Sequence, residues 1–319
     1  MNRSDATSRD FVTGTLIVTL CCAAAIYFPL FGFISFLLLP LPVMVYRIKL
    51  GRNAGGLIPA LSLMMVTVFS GGMTPDFWLM LGMLGQGFLL GECVGKDCSV
   101  EKTILISSGA ILLGGFLLLA MIGNVAGTGG VDLLSEYIRK NLDATLEIYR
   151  QLDVPEENAR VLADSLDRIH YVLIRIMPAL VASILVFAAW LNLLLGRYVL
   201  RQNRGQTPAF ERLNTWQAPD GLVWGVIGCA LLLFMRIEAL KFTGLNVMIV
   251  LLMVYMFQGL GILSFYFERK KVPLFLRTMI YGIIALQQIL VILVIGVGFF
   301  DTWINFRRLN TGNPEHPST

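Results

Sequence analysis

Nine stretches of the sequence are apolar and long enough, or nearly long enough, to cross a lipid bilayer. A hydrocarbon core about 30 Å thick needs roughly 20 apolar residues in an α-helix, which rises about 1.5 Å per residue. The stretches lack the alternation of polar and apolar residues that is typical of barrel strands, so they indicate helices. They are 11–30, 31–47, 54–71, 76–94, 103–124, 171–196, 221–239, 246–267 and 273–300. We predict an all-α, polytopic transmembrane helix bundle of about nine spans, or eight if the short second stretch does not cross.

The composition excludes an ordinary soluble domain. Hydrophobic residues make up 56% of the chain and charged residues only 14%, whereas a soluble domain has roughly 25% charged residues. The net charge is +4, and the Lys and Arg residues cluster beside the apolar stretches. The lipid bilayer is therefore the predicted surrounding, and nucleic acid is not a predicted partner.

The cysteines and histidines do not indicate a metal site or a cofactor. Three of the five cysteines lie inside apolar stretches, where a thiol usually serves as a small packing residue. Cys93 and Cys98 are separated by four residues with no histidine nearby, which is a weak pattern for zinc. The histidines, His170 and His316, stand far apart. We predict no metal and no cofactor.

The distribution of basic residues predicts the orientation. Short loops rich in Lys and Arg face the cytoplasm, and such loops follow the second, fourth, sixth and eighth stretches. Arg3 and Arg9 precede the first stretch, so the N-terminus is predicted to be cytoplasmic. Nine spans would place the C-terminus outside, although Arg307 and Arg308 disagree with that side. The basic loop residues are Arg47, Lys49, Arg52, Lys96, Lys102, Arg197, Arg201, Arg204, Arg212, Arg269, Lys270 and Lys271.

One sizeable polar segment, 131–168, interrupts the apolar stretches and is predicted to lie outside the cytoplasm. Its apolar residues recur at helical spacing: they are Leu134, Tyr137, Ile138, Leu142, Leu146 and Tyr149. Asp153, Pro155 and Glu156 are typical of a second helix start. We predict a helical hairpin over the bundle mouth, with a lid over a substrate entrance as the alternative. The predicted parts of the chain are 1–124, 125–170, 171–308 and a disordered tail, 309–319.

Polar residues at membrane depth are the candidate ligand-binding residues, because they are unfavourable in lipid unless paired or hydrated. Two prolines in the second stretch remove backbone donors and can bend the wall of a pocket. The candidates are Pro40, Pro42, Arg175, Asn192, Arg236, Gln258 and Gln287. The pair Gly87 and Gly91 predicts close packing between helices of this chain, with dimerisation as the alternative. No arrangement of acid, base and nucleophile is present, so we do not predict an enzyme.

Four short motifs resemble those of the YybS-like family of bacterial membrane proteins, whose function is unassigned. They are Leu39-Pro40-Leu41-Pro42 with Arg47 and Gly51, Met177-Pro178-Ala179-Leu180, Phe257-Gln258-Gly259-Leu260, and 301–307. The resemblance implies a multi-pass protein of the bacterial cytoplasmic membrane. The first half is similar to the substrate-binding S components of energy-coupling-factor vitamin transporters, which typically have six helices and bind a transmembrane partner subunit.

Together, the proline bend, the polar residues and the resemblance favour a protein that binds or transports a small solute. The alternative is a non-enzymatic scaffold or accessory subunit that recruits a membrane protein partner. Its contact surface would be the basic loop 197–220.

Overall fold

A computed structural model describes residues 3–72, 75–151, 156–202 and 216–307. These residues form helices and no strands, which confirms the predicted all-α polytopic bundle. The chain divides into two compact units, unit 1 (Met1–Ala209) and unit 2 (Phe210–Thr319). The helices are α1 (Arg3–Tyr27), α2 (Pro29–Leu38), α3 (Pro40–Phe69), α4 (Pro75–Gly95), α5 (Val100–Val125), α6 (Gly130–Gln151), α7 (Glu156–Gln202), α8 (Leu222–Leu233), α9 (Glu238–Arg269), α10 (Leu274–Leu286) and α11 (Gln288–Ile304). The predicted division at residues 124, 170 and 308 stays a prediction.

The predicted count of nine spans is too high. Six helices in the described residues are long and apolar enough to cross a membrane, or up to seven if a bent pair counts as one span. The second and third predicted spans belong to one helical stretch, Gly32–Phe69. The seventh shrinks to α8, whose 12 residues rise only about 18 Å. The ninth breaks between α10 and α11, which meet at 105°.

Gly51 folds the long stretch Gly32–Phe69 back on itself. Its φ of 83° and ψ of −179° are not helical, and glycine adopts this conformation without the steric penalty of a side chain. A Cβ on Gly55 would lie 2.6 Å from the Cα of Arg47. In a straight helix these positions would be about 12 Å apart along the axis. The two arms therefore run in opposite directions and form a helical hairpin.

Gly87 and Gly91 pack α4 against the first arm of this hairpin, as the prediction of close packing within the chain required. A Cβ on Gly87 would lie 2.6 Å from the carbonyl oxygen of Pro40, and one on Gly91 would lie 2.6 Å from Cγ of Arg47. The Arg47 side chain passes over Gly91 and pairs with Glu92, with Nε 3.1 Å from Oε2. Glycine thus supplies the close backbone approach that binds helices together in lipid.

The polar segment forms the predicted helical hairpin from α6 and the first turns of α7. Leu134, Ile138, Leu142 and Leu146 lie four residues apart, and of these Ile138 and Leu146 are buried. The ring Nε2 of His170 on α7 lies 3.0 Å from the carbonyl oxygen of Ser135 on α6. The helix then continues through Pro178 to Gln202 without a break. The predicted N-cap, Asp153, and the predicted first-turn residue, Pro155, lie outside the described residues.

In unit 2, glycines bring α11 into backbone contact with α9. A Cβ on Gly298 would lie 2.8 Å from the backbone nitrogen of Gly259, and one on Gly259 would lie 2.8 Å from Cγ1 of Val294. The helix α8 returns along α9, where Gly244 accommodates Leu232. By contrast, α10 has no buried residue, so its apolar surface is free to contact lipid or another protein.

Both ends of the bent pair α10–α11 lie at the C-terminal end of α9. Arg277, near the start of α10, donates to the carbonyl oxygens of Val272 and Phe267. The Tyr266 hydroxyl donates to the carbonyl oxygen of Phe306, just after α11, at 2.9 Å. A pair that begins and ends at one end of α9 favours a re-entrant hairpin over a broken span.

We therefore expect the C-terminus to share a side with the basic turn Arg269–Lys271, which the positive-inside rule assigns to the cytoplasm. A green fluorescent protein fused after Thr319 should fluoresce, and an alkaline phosphatase fused there should be inactive. This reverses the outside position predicted from nine spans and removes the disagreement over the basic residue Arg307. An active phosphatase at this position would show that α10 and α11 form one broken span.

Candidate functional sites

In unit 1, the side-chain amide of Asn192 bonds to the helix that the prolines interrupt. Pro40 and Pro42 have no backbone N–H, and α2 and α3 are divided at Leu39, whose φ of −55° and ψ of −36° stay helical. The Nδ2 of Asn192 on α7 donates to the carbonyl oxygen of Leu37 at 2.8 Å and to that of Ala188 at 2.6 Å. Asn192 thus satisfies a carbonyl at the interruption, as backbone at membrane depth requires.

A second buried amide, that of Gln86 on α4, bonds to α7 one turn away. Its Nε2 donates to the carbonyl oxygen of Leu185 at 2.7 Å and lies 3.3 Å from the Ser108 hydroxyl on α5. Gln86 and Asn192 both have 0% exposed area. The two carbonyls that they contact on α7, at residues 185 and 188, are about 4.5 Å apart along the helix axis. We name Gln86 and Asn192 the amide pair.

The contacts of the amide pair fix which end of each amide is nitrogen. A backbone carbonyl can only accept a hydrogen bond, so the atoms that contact Leu185, Leu37 and Ala188 must be the NH₂ groups. The remaining atoms, Oε1 of Gln86 and Oδ1 of Asn192, are therefore carbonyl oxygens. Neither has a hydrogen-bond partner among the described residues. Buried polar atoms are nearly always satisfied in proteins, so each of these oxygens indicates a missing partner.

In unit 2, the strongest polar feature is a buried ion pair. Nη2 of Arg307 lies 2.9 Å from Oδ2 of Asp301, and both side chains are fully buried. The same carboxylate accepts hydrogen bonds from Nε2 of Gln258 at 3.1 Å and from the backbone N–H of Phe306 at 2.8 Å. We name Asp301, Arg307 and Gln258 the polar staple.

The polar staple satisfies backbone groups that lie outside the helices. Arg307 donates to the carbonyl oxygen of Trp216 at 2.9 Å, and Oε1 of Gln258 accepts from the N–H of Ala218 at 3.2 Å. Asn305, which has φ of 46°, turns the chain so that Phe306 can bond to Asp301. Such non-helical backbone is tolerated at membrane depth only where protein or water satisfies it. The staple therefore has a clear structural role, and both ends of the Gln258 amide are engaged.

The structure places the other predicted ligand-binding residues apart from these clusters. Arg175 is exposed, and its guanidinium stacks 3.4 Å from the ring centroid of Tyr171. Arg236 is exposed between α8 and α9, and Gln287 is exposed at the bend between α10 and α11. Asn192 and Gln258 are buried, but in different units. A role in ligand binding stays a prediction for each of these residues.

The sequence alone did not indicate Gln86 or the pairing of Asp301 with Arg307. Gln86 lies between Gly85 and Gly87 in an apolar stretch, so a search for polar residues at membrane depth could have found it. The two charged residues stand six positions apart, just after the last apolar stretch. Their pairing depends on the turn at Asn305, which no local sequence pattern predicts.

Comparison with known proteins identifies a family whose model matches the chain. No curated protein and no solved structure matches the chain. One family, described as predicted membrane protein (DUF2232), matches residues 15–302 and so covers most of the length. That description agrees with the apolar helices, which imply contact with a lipid bilayer. The chain belongs to the DUF2232 family of predicted membrane proteins.

Proposed function

We propose that this protein binds a small solute among the helices of unit 1, as a binding or transport protein of the bacterial cytoplasmic membrane. The observation that carries the proposal is the amide pair, whose two buried oxygens have no partner in the described part of the chain. Leaving a buried polar group unsatisfied is unfavourable by roughly 1–3 kcal/mol. A bound solute or ordered water would recover that free energy.

The helices around the amide pair support the same proposal. In membrane helices, proline frees backbone carbonyls that neighbouring helices, side chains or water must satisfy. Asn192 donates to the carbonyl oxygen of Leu37, close to Pro40 and Pro42, and Gln86 lies beside Gly87, where α4 approaches α3. Polar side chains at membrane depth beside such prolines, with unsatisfied oxygens, favour a solute site.

The resemblance of the first half to S components also favours this function. It implies a unit that binds a small solute, and the transmembrane partner subunit of such transporters is part of the proposal.

The proposal is tested by the thermal stability of the purified protein in detergent against a library of small metabolites. A ligand that binds only the folded state raises stability by about 2.7 kcal/mol at 100 times its Kd. We expect at least one compound to raise the unfolding midpoint of the wild type but not that of Asn192→Leu. The matched control, Gln288→Leu, changes an exposed polar residue of unit 2 and should respond as the wild type does.

Absence of any response across the library would contradict solute binding. If cross-linking in membranes then captured a partner in constant proportion, the scaffold function would replace the proposal.

A further inference from the structure

We infer that the solute held by the amide pair is a small, uncharged molecule that donates hydrogen bonds through N–H or O–H groups. The inference rests on the proposed function and names the chemical class of the ligand. It follows from three features of the site. The unsatisfied atoms are both carbonyl oxygens, the turns of α4 and α7 next to the amides carry no charged side chain, and the two amides contact α7 at neighbouring turns.

The free atoms can only accept hydrogen bonds. Both NH₂ groups are directed at backbone carbonyls of α7 and α2, so their orientation cannot be reversed without placing two oxygens face to face. What remains for a ligand is Oε1 of Gln86 and Oδ1 of Asn192. An acceptor needs a donor, so a carboxylate or a phosphate, which presents oxygens, would be repelled.

On α4 and α7 themselves, the turns next to each amide carry no charged side chain. The side chains one helical turn before and after each amide are apolar or glycine. They are Gly82, Met83, Leu89 and Leu90 around Gln86, and Ala188, Ala189, Leu195 and Gly196 around Asn192. An ion beside these turns would find no counter-charge on them, which is strongly unfavourable in a low-dielectric interior. The ligand is therefore uncharged.

The spacing favours a single ligand for both amides. The carbonyls on α7 that the two NH₂ groups contact are about 4.5 Å apart along the helix axis. A molecule with two donors, such as a primary amide or a polyol, therefore suits the pair. The Ser108 hydroxyl, 3.3 Å from Nε2 of Gln86, lies at the same place and can donate or accept.

Matched pairs of compounds that differ in charge test this class. The purified full-length protein is titrated with nicotinamide against nicotinate, riboflavin against flavin mononucleotide, and glycerol against glycerol 3-phosphate. We expect the uncharged member of at least one pair to raise the unfolding midpoint by several degrees, with no rise for its anionic member. The rise should disappear in Asn192→Leu and in Gln86→Met and should remain in Gln288→Leu. Gln86→Met preserves side-chain volume, so it keeps the test valid if Asn192→Leu fails to fold.

Two results would overturn the inference while leaving solute binding in place. One is a larger rise with the anionic member of a pair. The other is a rise with sodium chloride that N-methylglucamine chloride does not reproduce, because carbonyl oxygens also bind sodium. If neither the uncharged compounds, the anions nor sodium changes the midpoint, both the inference and the proposed function fail.

Discussion

Replacing Asp301 with alanine should lower the free energy of unfolding by about 3–5 kcal/mol, the range found when one partner of a buried ion pair is removed. The Arg307 guanidinium would stay buried without its carboxylate, because both side chains are inaccessible to solvent. The backbone N–H of Phe306 would lose its acceptor at the same time. Chemical unfolding in detergent, followed by circular dichroism, measures the loss.

Two control variants distinguish the loss of the ion pair from the effect of removing any carboxylate on the free energy of unfolding. Glu136→Ala removes an exposed carboxylate on α6 and should change the free energy of unfolding by no more than about 0.5 kcal/mol. Asp301→Asn keeps the size and one acceptor oxygen but removes the charge and turns the other oxygen into an NH₂ donor, so its loss should lie between the two. A loss for Asp301→Ala as small as that for Glu136→Ala would show that Asp301 and Arg307 are not buried together.

Replacing Gly87 with alanine should destabilise the protein by about 1–3 kcal/mol, as expected when a methyl group is forced into a packed contact. The new Cβ would lie 2.6 Å from the carbonyl oxygen of Pro40 and 2.8 Å from its Cα. Backbone atoms cannot move aside as a flexible side chain can, so α3 and α4 would have to separate. A larger residue such as leucine should prevent the two helices from packing.

Gly114 supplies the matched control, because it is also a glycine within a membrane helix. A Cβ there would meet no atom within 4 Å in the described part of the chain. Gly114→Ala should therefore be neutral or stabilising by up to about 1 kcal/mol, since alanine favours the helix. If Gly87→Ala instead changed only the oligomeric state and left unfolding unchanged, the glycine pair would serve dimerisation.

The sequence predicts which segments enter the membrane better than it predicts their paths. Hydropathy located the apolar stretches because transfer to lipid depends on composition alone. The Gly87 contact was also predictable, because small residues four positions apart allow helices to approach in lipid. The hairpin of α6 and α7 followed from the regular spacing of Ile138 and Leu146.

The paths of these segments through the structure depend on contacts between residues that are distant in the sequence. Gly51 reverses the chain through its non-helical backbone, and the close contact of Gly55 with Arg47 accompanies that reversal; many other glycines in the sequence do not have this effect. The bend at Gln287 interrupts a continuous apolar stretch that has no proline near it. The contact of Gly298 with α9 accompanies that bend, and local sequence does not report it.

The sites were also only partly predictable, because they too depend on contacts between residues that are distant in the sequence. Asn192 was a candidate because polar residues are rare at membrane depth. That its NH₂ group is used and its oxygen is free depends on the carbonyl of Leu37, which lies 155 positions away.

The central claim, that unit 1 holds a solute at the amide pair, is tested most directly by cryo-electron microscopy of the protein purified into lipid nanodiscs. The map should show density that does not belong to the protein within about 3 Å of Oε1 of Gln86 and Oδ1 of Asn192. That density should be larger than a water molecule and should be absent from a map of Asn192→Leu. A wild-type map in which protein atoms bond to both oxygens, with no density between them, would contradict the claim.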